Sequence, residues 1–267
     1  MEYALLYSAG TDPQPYDPAD DNIGEWVDDL ITRRISEYGE RLRPGQDATT
    51  VRVRDGRVLV TEGPYTEARE WIGGFDIIDC ADLDEAIEIA SRHPAARSGT
   101  AEVRPFMVWP DATPGARVVP DGFPERPTKG RRYLMLVCVD PSGPEGEPDD
   151  DVQPWVDEMD ARGVRLFGEV LRPPEDAVLV RSRGGRTLVT DAPLSEGKEW
   201  IAGFDFLEVA DLQEAVSVAA AHPMASTGVI VLSPAWPFDP YGDQVARAQQ
   251  DASDQDVRTE PPAGAVA

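Results

Sequence analysis

The chain states one pattern twice. Arg57 to Gly99 reads RVLVTEGPYTEAREWIGGFDIIDCADLDEAIEIASRHPAARSG, and Arg186 to Gly228 reads RTLVTDAPLSEGKEWIAGFDFLEVADLQEAVSVAAAHPMASTG, with about half of the positions identical. His93 and His222 align, so the offset is 222 − 93 = 129 residues. A period that long exceeds the unit of a solenoid, and it describes two copies of one domain. A chain of 267 residues is long enough for each copy to bury a core of its own.

The charge balance narrows the partners. Asp and Glu number 50 against 25 Lys and Arg, a formal net charge of −25, so polyphosphates and anionic membranes are repelled over most of the surface. The expectation is therefore no nucleic acid and no membrane. The start, Met1-Glu2-Tyr3-Ala4-Leu5-Leu6-Tyr7, has no basic stretch before its apolar residues and reads as a strand rather than a secretory signal. Cys80 and Cys138 fall in apolar runs at non-equivalent places in the two copies, which suits buried reduced thiols and a cytoplasmic protein.

Each copy shows the same order of elements. Tyr3–Tyr7 and Tyr133–Val139 read as strands, followed by polar loops containing the acidic runs Asp17–Asp21 and Asp149–Asp151. Trp26, Leu30, Ile31, Ile35 and Tyr38 recur at helical spacing, and Trp155, Val156 and Met159 open the matching helix. Val51–Arg54 and Val58–Thr61 alternate around Asp55-Gly56 as a tight hairpin does, with Gly184-Gly185 at the equivalent turn. A strand from Gly74 to Cys80 precedes a helix capped by Asp82, which stops near His93-Pro94 before a last strand at Thr100–Val108.

That order is a ferredoxin-like α+β plan with an extra strand. A sheet covered by helices on one face must bury the other, and the second copy in the same chain supplies the cover. The expected division is residues 1–109 and 131–238 for the two domains, 110–130 for a linker rich in Pro, Gly and Asp, and 239–267 for a disordered tail.

At these residues the chain resembles the YCII-related family, and within it the branch named for an Asp-Gly-Pro-Phe motif. The motif stands here as Glu62-Gly63-Pro64-Tyr65 and, more degraded, as Asp191-Ala192-Pro193-Leu194. Thr66-Glu67, Gly73-Gly74-Phe75, Asp82-Leu83-Asp84-Glu85-Ala86 and Glu102-Val103-Arg104-Pro105 match around it, and the resemblance covers nearly all of both copies. It implies two tandem ferredoxin-like domains packed sheet to sheet, an intrachain version of a dimeric α+β barrel: a monomer with an internal pseudo-dimer, further dimerisation being left open. The resemblance also implies a His early on the first helix paired with an Asp before the proline that ends the second. Here the first position falls on Ile23 and Val152, and the second is occupied by His93 and His222, so the pair is lost as written.

The catalytic candidates are Asp76, His93, Asp205 and His222. An imidazole titrates near neutrality and serves as acid or base, or else it receives the end of a helix, its proton complementing free carbonyl groups. Asp76 and Asp205 follow Gly-Phe inside apolar strands. A carboxylate facing a cavity there has a raised pKa and can exchange protons, whereas one facing solvent is an ordinary polar position. Trp26, Trp71, Trp155 and Trp200 are candidates for stacking on a flat substrate, and Arg52 and Arg181 on the hairpins for drawing an anionic one. No phosphate loop, dinucleotide fingerprint, metal-spaced His/Cys cluster or Gly-x-Ser-x-Gly elbow occurs, so no cofactor and no metal are expected.

Two functions remain open. One is a cofactor-independent enzyme of isomerase, cyclase or lyase type that acts on a small organic molecule by proton transfer. The other, implied by the resemblance, is a non-catalytic small-molecule-binding or accessory module associated with sigma-factor or stress regulation.

Overall fold

The computed structural model describes residues 1–8, 22–63, 71–108, 117–120, 130–139, 152–191 and 200–236. Pro64-Tyr65, residues 192–194, both acidic runs, most of the 110–130 stretch and the whole of 239–267 lie outside them.

The first copy runs β1 (Glu2–Ser8), α1 (Ile23–Arg33), β2 (Ser36–Leu42), β3 (Thr49–Arg54), β4 (Arg57–Glu62), β5 (Ile72–Asp79), α2 (Leu83–Arg92), the short α3 (Pro94–Ser98) and β6 (Thr100–Pro105). The second runs β7 (Arg131–Val139), α4 (Gln153–Arg162), β8 (Arg165–Val170), β9 (Val178–Arg183), β10 (Arg186–Asp191), β11 (Trp200–Val209), α5 (Leu212–Ala221) and β12 (Val229–Trp236). In both copies the first, second, third and last core strands form a sheet in the order β6-β1-β5-β2 and β12-β7-β11-β8, the ferredoxin-like arrangement.

Local chemistry sets these boundaries. Asp82 accepts the Glu85 N–H at 3.0 Å while Glu85 accepts the Ala81 N–H at 2.7 Å, and Asp211 and Glu214 repeat the device at 2.9 and 2.8 Å. Such a reciprocal cap stabilises a helix start by about 1 kcal/mol. Asp55 and Gly56 take φ of 52° and 72°, and Gly184 and Gly185 take 56° and 74°, as the hairpin turns demand.

The first helix is shorter than its apolar spacing suggests. It ends at Arg33, Arg34 turns left-handed at φ 58°, and Tyr38 lies not on the helix but on β2, which the reading of the sequence omits. Ser36-Glu37-Tyr38-Gly39-Glu40-Arg41 is polar at most positions because only Tyr38 and Leu42 reach the core. A strand with two buried residues gives little alternation to detect.

The sheets pack face to face and meet along two seams: Leu42 and Arg41 of β2 pair with Ala235 and Trp236 of β12, and Phe106 bridges Leu171. Between them lies one core drawn from both copies, including Leu6, Tyr38, Phe75, Phe106, Leu136, Phe167, Phe204 and Phe206. Its rings interlock at centroid distances such as 5.5 Å for Phe75–Phe206 and 5.4 Å for Phe167–Phe206. Two further cores sit between each sheet and its own helices, with Leu5, Tyr7, Trp26 and Ile89 in copy one and Met135, Val137, Trp155 and Val218 in copy two.

The hairpins are exchanged. β3–β4 of copy one adds to β12 of copy two, and β9–β10 of copy two adds to β6 of copy one. Arg54 locks one exchange by donating to the carbonyls of Ala225, Ser226 and Gly228 at 2.9–3.0 Å. Arg183, its counterpart, donates to Ala96, Arg97 and Gly99 at 2.5–2.9 Å.

Candidate functional site

Alternation places Phe75 and Ile77 between the sheets, so Asp76 points the other way, into the layer between sheet and helices. Asp205 does the same in copy two. Each carboxylate lies over a glycine of the neighbouring strand. A Cβ on Gly39 would collide with Asp76 Oδ1, and a Cβ on Gly168 with Asp205 Oδ1. The register is identical, Gly39 opposite Asp76 and Gly168 opposite Asp205.

The surroundings then diverge. In copy two Arg165 donates through Nε to Asp205 Oδ1 at 2.6 Å, through Nη2 to the Gly168 carbonyl at 2.9 Å and through Nη1 to Asp160 at 3.3 Å. In copy one the position of Arg165 is Ser36, because both residues stand at the start of the second strand, opposite Ile78 and Leu207 respectively. Among the described residues no arginine or lysine forms an ion pair with Asp76. Tyr7 stands where copy two has Val137, both opposite the glycine one position before Phe75 or Phe204. Among the described residues the buried Tyr7 hydroxyl has no hydrogen bond of regular geometry. The Asp76 carboxyl acts on it, adding to the rise that burial gives its pKa.

The electrostatics follow. Burial pushes the Asp76 carboxyl up to about 8; the Tyr7 hydroxyl opposes the rise and the Glu40 carboxylate adds to it. Burial also raises Asp205, but the Arg165 guanidinium pulls it back, leaving it at about 6. Asp76 is half-buried and Gly39 exposed, whereas Asp205 is 6% exposed. Copy one thus presents a reachable acid near neutrality, and copy two a sealed ion pair.

His93 and His222 occupy matching places and do not receive the end of a helix with a donated proton. Instead Nδ1 accepts a backbone N–H at the start of the next turn, from Ala95 at 3.0 Å and from Met224 at 3.1 Å. That bond leaves Nδ1 unprotonated. The His93 ring stacks on Tyr7 with centroids 3.9 Å apart and planes 11° from parallel, and meets the edge of Trp26 at 4.7 Å. His222 meets Trp155 at 4.7 Å, and burial together with Arg165 lowers its pKa to about 4.

The other candidates are dispersed. Trp26 and Trp155 are core residues rather than surfaces open to substrate, for each indole N–H is already bonded to a helix carbonyl, Ile89 at 3.0 Å and Val218 at 3.2 Å. Trp71 and Trp200 are half-buried, and the Trp71 ring covers Gly45 and Gly73. Arg52 is partly buried on β3, and Arg181 donates to Thr100 Oγ1 at 2.8 Å. Neither is among the groups that act on Asp76 or Asp205. Reading the sequence missed Tyr7, Gly39 and Arg165, although the non-equivalence of Ser36 and Arg165 was there to be seen once β2 and β8 are aligned. Cys80 and Cys138 are buried and unbridged.

A duplicated ferredoxin-like α+β sheet is the class the fold defines, and comparison with known proteins gives its family. The YCII-related domain matches residues 14–110 and again 141–239. The chain belongs to the YCII-related family, as a tandem duplication. It is also similar to an uncharacterised protein of Rhizobium meliloti (strain 1021), 41% identical over 86 residues that make up 30% of this chain and 69% of that protein. Among the described residues no helix is long and apolar enough to cross a membrane.

Proposed function

We propose that the protein is a cofactor-independent enzyme that exchanges a proton with a small organic molecule at the copy-one site, as an isomerase, cyclase or lyase does. Asp76 is the acid and base, Tyr7 steadies its carboxylate through the phenol O–H, and His93 positions Tyr7 by stacking on it. The observation that carries this reading is the divergence of the two copies: Asp205 is paired with Arg165, while Asp76, on the same register, has no such partner among the described residues and a pKa of about 8. Copy two serves as scaffold, completing the core between the sheets and lending its hairpin to β6. Two buried, unbridged cysteines fit a cytoplasmic setting, and Glu62-Gly63 opening a Pro-aromatic pair fits the Asp-Gly-Pro-Phe branch.

The test is a screen for ligand-induced stabilisation with neutral and cationic metabolites, followed by turnover assays on the hits. Ligands that stabilise wild type and Asp205→Asn, but not Asp76→Asn, support the copy-one assignment. Ligands that respond to Asp205→Asn alone, or to neither variant, overturn it.

A further inference from the structure

Copy two contains, in its own side chain, a picture of what the copy-one carboxylate is shaped to receive. Arg165 sets a planar guanidinium against Asp205 Oδ1, the Gly168 carbonyl and Asp160. Its side chain is 14% exposed, so most of the fork is enclosed by the fold. Copy one reproduces the receiving half of this arrangement: the carboxylate lies over the glycine in the same way, and Gly39 stands in the same register as Gly168. Ser36 carries no side chain able to fill the equivalent space. At the position of Asp160, 129 residues earlier, the chain has Ile31, which is 58% exposed, so the outer charge is replaced by an apolar rim.

A second feature beside Asp76 faces the same place. Tyr7 is 5% exposed, and among the described residues its hydroxyl has no hydrogen bond of regular geometry. Its O–H acts on the Asp76 carboxyl, which leaves the lone pairs of the phenol oxygen able to accept. No equivalent exists in copy two, where Val137 packs instead. The site therefore carries one carboxylate, one phenol oxygen and one strand carbonyl, all able to accept N–H bonds.

We infer that the copy-one site binds the guanidinium or amidinium group of a small molecule, seated on Asp76 as Arg165 is seated on Asp205, with the Gly39 carbonyl and Tyr7 oxygen taking the remaining N–H donors. This rests on the reading of Asp76 as the functional carboxylate and adds the class of substrate. A planar, weakly hydrated cation with forked donors suits a carboxylate and a carbonyl held side by side, which an ammonium does not match as well. The strong negative charge of the chain favours approach of a cation. Binding is linked to the proton on Asp76, since a cation seated there favours the ionised carboxylate; the ligand displaces that proton and binds more tightly as pH rises.

The probe is methylguanidinium, followed by amide chemical-shift changes at Ser36, Gly39 and Asp76 in the full chain. Saturable shifts are expected in wild type, with affinity increasing about 25-fold from pH 6.5 to pH 8.5, as release of one proton from a carboxyl that titrates at about 8 requires. Ser36→Arg, which rebuilds the copy-two arrangement in copy one, should remain folded and lose the binding, and Asp76→Asn should lose it as well. Absence of saturable binding to wild type, or binding undiminished in both variants, overturns the inference. Should Asp76 titrate near pH 8 while methylguanidinium fails to bind, the proton-transfer reading stands and only the cation assignment falls.

Discussion

The Asp76 carboxylate lies directly over the bare Cα of Gly39, in the space that a Cβ would take. Gly39 is not required there by its backbone angles, because it sits within β2 in extended register opposite Asp76. It is required by the close approach. Gly39→Ala is expected to displace the carboxylate and lower stability by about 1–3 kcal/mol, the usual range for overpacking. Thermal unfolding of Gly39→Ala against wild type checks this, with the Asp76→Asn/Gly39→Ala double variant showing whether the two sites couple.

The two carboxylates should respond differently to pH. A carboxyl whose folded pKa lies above its unfolded value keeps its proton in the folded state while the unfolded state releases it, so stability falls as pH rises through that window. For Asp76 the window runs from the ordinary carboxylate range to about 8, and for Asp205 only to about 6. Asp76→Asn should therefore gain on wild type by up to about 1.4 kcal/mol per pH unit between pH 6 and 8. Asp205→Asn, whatever its constant offset from leaving Arg165 unpaired, should stay parallel to wild type over that interval. Urea unfolding at pH 6, 7 and 8 separates the two.

His222 has the opposite sign. Its folded pKa of about 4 lies below the unfolded value, so its contribution is intact above the unfolded pKa and is lost as pH falls toward 4. Protonation also removes the Nδ1 lone pair that accepts the Met224 N–H. His222→Asn, which retains an acceptor and cannot ionise, is expected to flatten the loss of stability between pH 6.5 and 4. An unchanged acid limb would assign the loss to other groups.

The exchanged hairpins rest on Arg54 and Arg183. Each makes three charge-assisted bonds to carbonyls of the other copy, and truncation leaves those acceptors unmet. Arg54→Ala or Arg183→Ala should cost about 1–3 kcal/mol, and amide exchange should accelerate selectively in β3–β4 or β9–β10.

The repeat made the architecture legible because duplication leaves identical apolar faces at a fixed offset, and Asp82, Asp55-Gly56 and His93-Pro94 mark boundaries by chemistry that acts locally. β2 and β8 were hidden because they bury few side chains. The hairpin exchange was hidden because Arg54 and Arg183 bond to backbone carbonyls more than eighty residues away, and carbonyls carry no sequence signature. Asp76 and His93 were visible as oddities, an acid in an apolar strand and an imidazole at a helix stop. The role proposed for Asp76 rests on the exchange of Tyr7 for Val137 and Ser36 for Arg165, and those exchanges become meaningful only when strand register puts the residues beside the carboxylate.

The central claim, that copy one holds an acid poised near neutrality, is tested most directly by a carbon-detected NMR titration of the aspartate side-chain carboxyls, with Asp76 assigned by comparison with Asp76→Asn. A midpoint near pH 8 in wild type, falling by more than one pH unit in Ser36→Arg, is the predicted result. A midpoint near pH 4 in both proteins would contradict the account.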